Sequence, residues 1–184
     1  MKTKIAIVIE LILLLKAQPM QADTVWTSGH HDILEPDVYG EIYMYNDATA
    51  TMIGGDVYKL EIYDLTAFDM LGGEMDLLYV HDDTTINIYS GTLSALGATE
   101  NASVDLYAYD VIHHPTGGHF DRGWLEGNYL LNDLYFTFDL NHLDTFSHIN
   151  VVPEPTTVFL LALGGLLSRN HLRKGCNYNI IEST

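Results

Sequence analysis

Hydrophobic and polar positions in the middle of the chain recur every 18 residues. Around Gly54-Gly55, Gly72-Gly73 and Ser90-Gly91, segments 45–62, 63–80, 81–98 and a partial copy from 99 to about 112 align without gaps. Before each of these pairs, apolar residues lie two apart, which is the period of a strand. They form two columns, namely Ala50, Phe68, Ile86 and Val104, then Met52, Met70, Ile88 and Leu106. Further apolar columns begin at Val57, Leu60 and Ile62, so each copy predicts strand, tight turn, strand.

Stacked copies turn each apolar column into a continuous ladder, which gives a core that one copy cannot build alone. The sequence therefore predicts an all-β fold, a short β-solenoid of about four 18-residue repeats over residues 45–112. Glycine before the second strand supplies a backbone with positive φ. A polar column fits the opposite corner, formed by Asn46, Asp64, Asp82 and Glu100. A β-sandwich of short antiparallel strands is the alternative architecture.

The segments on both sides of the repeat predict capping strands. Residues 26–45 are expected to form an amino-terminal cap or the first strands. From His113 the pattern breaks at a proline and several glycines, and a closing strand is then expected from the alternation of Leu134, Phe136, Phe138 and Leu140. The predicted all-β domain covers residues 23–150.

The amino-terminal residues 1–22 have the pattern of a secretory signal peptide. Lys2 and Lys4 precede an apolar run from Ile5 to Leu15, and a more polar stretch ends at Ala22. An uncleaved anchor or a buried helix is the alternative. The run is shorter than the ~20 residues that cross a bilayer core, so we expect export with cleavage after Ala22.

A short motif, an apolar run and a basic cluster follow one another near the carboxyl terminus. The motif is Pro153-Glu154-Pro155, the apolar run extends from Val158 to Leu167, and the basic cluster consists of Arg169, Arg173 and Lys174. The prolines stop any preceding strand. The basic residues would hold the end of a membrane helix on the cytoplasmic side.

This order resembles the PEP-CTERM sorting signal of exported bacterial proteins, over residues 151–174, with 175–184 as a tail. The opening Trp-Thr-Ser-Gly-His at 26–30 is similar to that of planctomycete-type proteins of the same group. The resemblance implies that an exosortase, a membrane transpeptidase, recognises the segment and processes the chain near Pro153–Pro155. It also implies that the protein is membrane-anchored, at the cell surface or extracellular, and it assigns no activity.

The charge of the middle of the chain excludes several classes of partner. Between residues 23 and 155 there are 23 acidic side chains and only two basic ones, Lys59 and Arg122. Such a surface repels nucleic acid and anionic lipid. Cations, neutral sugars and other proteins remain as partners, and Tyr79, Tyr89, Tyr107 and Tyr109 are candidates to stack on the sugars of an extracellular polysaccharide. The single Cys176 excludes an intrachain disulfide.

Two groups of side chains are candidates for a metal-binding site. One consists of His30, His31 and Asp32, and the other of His113, His114, His119 and Asp121. Zinc needs three or four such ligands in a tetrahedron, and the spacing of these residues matches no fixed zinc-site signature. The alternative interpretation is that the histidines lie in turns and on edge strands without binding a metal. Calcium is suggested because 18 residues equal two nonapeptides of a calcium-binding β-roll, although the Gly-Gly-x-Gly-x-Asp turn is absent. We therefore predict no metal or other cofactor.

The sequence favours a non-enzymatic exported protein that displays an acidic solenoid at the cell surface or in the matrix. No nucleophile elbow, zinc-protease motif or phosphate loop occurs. The alternative is a small carbohydrate-active or metal-dependent enzyme that uses the histidine groups. A third function, ice binding, would use a threonine-rich column, Thr49, Ala67, Thr85 and Ser103, flanked by Ala48, Thr66, Thr84 and Ala102.

Overall fold

The computed structural model describes residues 23–153, which form thirteen strands and one 3-10 turn. The strands are β1 (Thr24–Trp26), β2 (His30–Ile33), β3 (Val38–Met44), β4 (Thr49–Met52), β5 (Asp56–Ile62), β6 (Ala67–Met70), β7 (Glu74–Val80), β8 (Thr85–Ile88), β9 (Thr92–Ala98), β10 (Ser103–His114), β11 (Trp124–Tyr129), β12 (Tyr135–Leu140) and β13 (Ile149–Val152). The 3-10 turn, Thr145–His148, directly precedes β13.

The strands wind into a β-solenoid of about five turns, which confirms the predicted all-β fold and repeat architecture over the alternative β-sandwich. One sheet, which we call the long-strand sheet after its seven-residue strands, has the order β1-β3-β5-β7-β9. The second, which we call the short-strand sheet after its four-residue strands, has the order β2-β4-β6-β8-β10-β13. All of these neighbours pair in parallel. From β4 to the first half of β10, paired residues of successive coils are 18 apart, as in Ala50 with Phe68 and Leu60 with Leu78.

The apolar columns of the sequence form the core. Phe68, Ile86 and Val104 are fully buried on the short-strand side, and Leu60 and Leu78 are fully buried on the long-strand side. Each column places an apolar side chain at the same position of every coil. Neighbouring coils therefore contact each other along continuous apolar ladders. The strands of one coil thus become part of a single core.

Two corners with positive φ turn the chain in each coil. The glycine corner contains Gly55, Gly73 and Gly91, with φ of 75°, 84° and 119°. The polar column lies at the opposite corner, where Asn46, Asp64, Asp82 and Glu100 have φ between 55° and 63°. Asp and Asn tolerate this left-handed conformation better than most residues, so the predicted roles of both corners are confirmed.

The solenoid begins one coil earlier than predicted. β2 and β3 pair with β4 and β5, so residues 26–45 form a full coil and not only a cap. Pairing in this coil is offset by 19 residues at Ile33 with Met52 and by 18 at Val38 with Asp56. The corner Leu34–Asp37 has one residue more than the glycine corner and lacks its glycine pair, so an ungapped alignment cannot detect the first coil.

A β-hairpin closes the other end of the solenoid. β10 leaves the short-strand sheet and pairs antiparallel with β11, which pairs antiparallel with β12, and β12 pairs parallel with β9. The predicted closing strand is confirmed in β12, where Phe136, Phe138 and Leu140 are buried. Leu134 lies outside that strand and is 58% exposed, contrary to its predicted place in the alternation.

β13 ends at Val152, one residue before the exposed Pro153. The strand extends two residues beyond the predicted domain end at 150. The predicted signal peptide (1–22), Glu154, Pro155, Arg169, Arg173, Lys174 and the tail (175–184) lie outside the described residues. Within residues 23–153, no helix has the length and apolar character that a membrane crossing requires.

Candidate functional site

The outward side of the short-strand sheet carries its side chains in columns, and we call it the ladder face. It is built by β2, β4, β6, β8, the first half of β10 and β13. At about 4.8 Å between strands, these six strands span about 24 Å. Side chains on it form three columns: a hydroxyl column (His30, Thr49, Ala67, Thr85, Ser103), a carboxylate-amide column (Asp32, Thr51, Asp69, Asn87, Asp105, Asn150) and an apolar column (Leu34, Ile53, Leu71, Tyr89, Tyr107, Val152).

The carboxylate-amide column alternates a charged and a neutral side chain over its last four strands. Asn87 Nδ2 donates to Asp69 Oδ1 at 2.7 Å, and Asn150 Nδ2 donates to Asp105 Oδ1 at 3.1 Å. Asn87 thus lies between Asp69 and Asp105, and Asn150 ends the column. No two carboxylates therefore lie directly opposite each other on these adjacent strands, where like charges are destabilising. The alternation fixes the carboxylates in place along the face.

Sequence reasoning missed this column, although a signal for it is present. Thr51, Asp69, Asn87 and Asp105 follow the same 18-residue spacing as the apolar columns that flank them. Asn150 has no such signal, because it is 45 residues from its partner Asp105 and joins the column only through the pairing of β13 with β10. Asp32 is also out of phase, since it is 19 residues before Thr51.

The apolar column changes from aliphatic to aromatic along the face. Leu34, Ile53 and Leu71 are 44%, 55% and 37% exposed. Tyr89 and Tyr107 follow them and stack with ring centroids 4.2 Å apart. A hydrogen bond with Tyr107, together with partial burial and the charges of nearby aspartates, raises the pKa of Tyr89 to about 12. The Tyr89 phenol therefore stays neutral at physiological pH, and the stacked pair presents an aromatic surface beside the carboxylates.

The threonine-rich surface is narrower than predicted. Thr49, Ala67, Thr85 and Ser103 do lie on the ladder face, in its hydroxyl column. The flanking column of Ala48, Thr66, Thr84 and Ala102 is at most 4% exposed and lies in the core. The expectation that this second column contributes to the surface was wrong, because these residues precede the strands at a corner whose side chains point inwards.

The first predicted histidine group lies partly on the ladder face. His30 Nδ1 is 2.9 Å from Thr49 Oγ1, and its Nε2 is 3.1 Å from Asp32 Oδ1. A hydroxyl, an imidazole and a carboxylate in this order are the elements of a nucleophilic triad. The side chains of His30 and Asp32 are, however, about half exposed, at 54% and 53%. His31 is directed elsewhere and stacks on Trp26 with centroids 4.3 Å apart.

The second predicted histidine group is dispersed. His114 pairs with Glu126 at 2.9 Å, whereas His113 stacks on Phe146 with centroids 3.8 Å apart. The backbone N–H of His119 donates to Asp139 Oδ2 at 2.7 Å, and Asp121 is a turn residue with φ of 53°. Among residues 23–153, no three His, Cys, Asp or Glu side chains converge as a metal site requires.

Lys59 is the centre of a charged network on the long-strand sheet, away from the ladder face. Its Nζ lies 2.5 Å from Glu41 Oε2, 3.3 Å from Glu61 Oε1 and 3.1 Å from the Tyr43 hydroxyl. Tyr63 donates to Glu61 at 2.7 Å. Partial burial opposes the charged form of Lys59, but the hydrogen bonds outweigh it and raise the pKa of Lys59 above its usual range. This lysine is therefore part of the structure of that sheet.

Carboxylates also line a groove of about 550 Å³ at the polar corner, bordered by Asn46, Asp47, Asp64, Leu65, Asp82 and Asp83. The corner carboxylates accept hydrogen bonds from backbone N–H groups. Asn46 N–H donates to Asp64 Oδ2 at 2.9 Å, and Asp64 N–H donates to Asp82 Oδ2 at 3.0 Å. Asp82 N–H likewise donates to Glu100 Oε2 at 3.1 Å. These carboxylates cap the turns of the preceding coils, which is a structural use of their charge.

A smaller pocket of about 260 Å³ lies beside the loop that precedes the 3-10 turn. Its lining includes Arg122, His142, Asp144 and His148. Burial, together with the nearby charges of Arg122 and His81, lowers the pKa of His142, so its ring is neutral at physiological pH. Arg122 Nη1 donates to the Asn141 carbonyl at 2.6 Å. The arginine thereby holds this loop and does not approach the ladder face.

No protein-family model, curated protein or solved structure matches the chain. The assignment of a function therefore depends on the geometry of the chain's own surface.

Proposed function

We propose that this protein is exported through a PEP-CTERM-type signal and displays its solenoid at the cell surface or in the extracellular matrix, without catalysing a reaction. The observation that carries this proposal is the ladder face, in which a carboxylate-amide column and an apolar column each extend over six strands beside a hydroxyl column of five residues. A periodic surface that continues across several strands suits contact with an extended partner, whereas small-molecule sites are concave.

The proposed partners follow from the same features. During sorting, an exosortase-type transpeptidase and the membrane would engage the segment from Pro153 onwards. After sorting, the acidic solenoid would contact an extracellular polysaccharide, because only two lysine or arginine side chains are present between residues 23 and 155 and nucleic acid would be repelled.

The enzyme alternative is weaker on geometric grounds. A nucleophile needs a base, an orienting group and a donor pair for the developing oxyanion, all facing a site that excludes water. The group His30, Thr49 and Asp32 supplies the first two elements on a surface that is about half exposed. Loss of a measurable hydrolase activity in His30→Gln would restore the alternative.

Fractionation of the native host followed by intact-mass analysis tests the proposal. We expect the protein in the membrane, surface or extracellular fraction, with a mass that starts near Asp23 and ends near the Pro-Glu-Pro motif. Glu154→Gln, which leaves the solenoid sequence unchanged, should retain a full-length carboxyl terminus. A full-length protein in the cytoplasm of the native host would contradict both export and sorting.

A further inference from the structure

We propose that the ladder face binds a linear polysaccharide that carries free amino groups, with the sugar chain lying across the strands. This inference rests on the proposed function, because it requires the solenoid to meet the extracellular matrix. It specifies the chemistry of the partner through the charge, the spacing and the aromatic content of one face.

Asp69 and Asp105 are ladder-face carboxylates whose described contacts include no lysine, arginine or histidine, whereas Asp32 lies 3.1 Å from His30 Nε2. Asp32, Asp69 and Asp105 point outwards from alternate strands. Within residues 23–153 the only lysine and arginine are elsewhere, Lys59 in the network of the long-strand sheet and Arg122 on the Asn141 carbonyl. The described polar contacts of Asp69 and Asp105 use Oδ1 for an amide. Their charge is therefore complementary to ammonium groups of a partner.

The spacing of these carboxylates fits a periodic polymer. Asp69 and Asp105 are two strands apart, which is about 9.6 Å. In a linear chain of β-linked pyranoses, successive rings are turned over, so every second sugar presents the same substituents to one side. The rise of such a chain per sugar is close to one strand spacing. An amino group on alternate sugars thus meets a carboxylate, and the sugar between them faces Asn87.

The stacked tyrosines provide the apolar part of the same surface. Tyr89 directly follows β8 and Tyr107 lies in β10, each two residues beyond Asn87 or Asp105 and thus about 7 Å along the face. Sugar rings have apolar faces, and aromatic side chains pack against them while the polar rim hydrogen-bonds nearby groups. Ile53 and Leu71 extend this apolar strip towards the first coils, with 55% and 37% of their surface exposed.

The polar corner, in contrast, is not proposed as a binding site. Its carboxylates accept backbone N–H groups of the neighbouring coil, as Asp64 and Asp82 do. They are held by the chain itself, and a cluster of acidic residues without further evidence of a ligand does not define a site. The ladder face differs from the polar corner because it combines carboxylates, amides and stacked rings on one side of a sheet.

Calorimetric titration of the full chain with three oligosaccharides tests the proposal in low-salt, mildly acidic buffer. The probes are the hexamers of glucosamine, of N-acetylglucosamine and of glucose, all β-1,4-linked. We expect the glucosamine hexamer to bind at least about tenfold more tightly than the other two, because only its amino groups pair with the carboxylates.

Matched variants separate the ladder face from the total charge. Asp69→Asn with Asp105→Asn should weaken glucosamine binding by about tenfold or more. The control, Asp56→Asn with Glu74→Gln, removes the same charge from exposed neighbours on the long-strand sheet and should leave the affinity within about twofold. Equal losses in both variants would show that bulk charge attracts the polymer, which would overturn the proposal.

A second pair of variants tests the stacked rings. Tyr107→Ala should weaken binding about tenfold, whereas Tyr107→Phe retains the aromatic face and should bind like the parent. Equal affinity for all three hexamers, or no binding of any, would also overturn the inference. Fractionation and intact mass are measured independently of binding. A protein that is found at the surface but does not bind the glucosamine hexamer would therefore contradict the proposed ligand and not the proposed display function.

Discussion

At the scale of single residues, the polar corner shows how one residue hydrogen-bonds to the coil before it and to the coil after it. Asp64 adopts a left-handed backbone with φ of 62°, accepts the N–H of Asn46 and donates its own N–H to Asp82. Asp and Asn tolerate this conformation because their short polar side chains bond locally. The corner column is therefore both a turn signal and an inter-coil hydrogen-bond ladder.

Asp82→Asn is expected to flatten the acid dependence of stability. The N–H of Asp64 and the contact with Glu100 lower the pKa of Asp82 in the folded state. A lowered folded pKa gives stability that is present above the unfolded pKa and lost as pH falls through the folded pKa. Asparagine retains the acceptor and the left-handed preference but does not titrate.

The measurement is the melting temperature of both proteins from neutral pH down to about pH 3, near the usual range of aspartate. The advantage of the parent over Asp82→Asn should shrink as pH falls. Using a difference cancels the loss of overall charge repulsion, which both proteins share. A constant difference across the range would contradict the assigned role of the carboxylate.

Thr66 and Thr84 occupy equivalent inward positions but differ in their hydroxyl groups. Thr84 Oγ1 donates to the Asp64 carbonyl at 3.0 Å, whereas Thr66 Oγ1 is buried with no hydrogen-bond partner among the described residues. An unsatisfied buried hydroxyl costs about 1–3 kcal/mol. We expect Thr66→Val to raise the free energy of unfolding by about 1 kcal/mol and Thr84→Val to lower it by about the same amount. Urea unfolding of both variants measures the two values, and equal signs would refute the assignment.

At the scale of secondary-structure elements, the glycine corner sets how closely successive coils approach. A Cβ built on Gly73 would lie 2.5 Å from Met52 Cε and 2.8 Å from the carbonyl oxygens of Gly54 and Gly55. The absence of a side chain is therefore required by the neighbouring coil as well as by the φ of 84°.

Gly73→Ala and Gly117→Ala form a matched pair that separates these two causes. Gly117 has nearly the same φ, 86°, but an added Cβ there meets no atom within 4 Å. Gly117→Ala should cost about 1–2 kcal/mol, the penalty of a left-handed alanine. Gly73→Ala should cost roughly 2 kcal/mol more because of the inter-coil overlap. Denaturant unfolding of both variants gives the difference, and equal costs would mean that the coils shift apart without penalty.

The local sequence pattern is sufficient to predict some of the strands but not how the last strands assemble. The alternation of Phe136 and Phe138 predicts β12, and the two flanking apolar columns predict the short strands of each coil. The assembly of β10, β11 and β12 into an antiparallel unit is set by packing at the open end of the core, which Tyr129 and Phe136 cover with ring centroids 4.7 Å apart. No spacing in the sequence encodes that choice.

At the scale of the whole molecule, the solenoid is a stack in which each coil contacts mainly its neighbours. The parallel pairing of β4-β6-β8 and of β5-β7-β9 keeps one register throughout. Stability should therefore depend on complete coils and on an unbroken phase between their columns.

Deletion of residues 63–80, one full repeat, should give a shorter solenoid that still unfolds cooperatively. Ile62 would then lead into His81, and every column would keep its phase because paired residues in these coils are 18 apart. A deletion of 59–75, which is one residue shorter, instead leaves an additional residue inside a long strand and moves the side chains that follow it to the wrong face. Circular dichroism and urea unfolding distinguish the two, with a β-sheet spectrum expected only for the first, and similar behaviour of both deletions would contradict the stacked-coil architecture.

The repeat region of the fold was predictable because its information is local and periodic. The first coil escaped detection because the corner Leu34–Asp37 shifts the phase by one residue. The candidate surface was predictable only in part. The positions Asp69, Asn87 and Asp105 are visible at their spacing, but their common outward direction follows from the burial of the apolar columns on either side.

The sequence by itself determined the strand pattern of the repeats, their two corners, the acidic charge of the middle of the chain and the order of the terminal segments. These depend on neighbours within one repeat, where backbone preference and hydrophobic period act directly. The tertiary structure decided which polar residues share a face, that Asn150 joins the Asp105 column, and that the two histidine groups do not form one site. Such contacts join residues far apart in the chain, and their geometry is fixed only when the coils stack and the core closes.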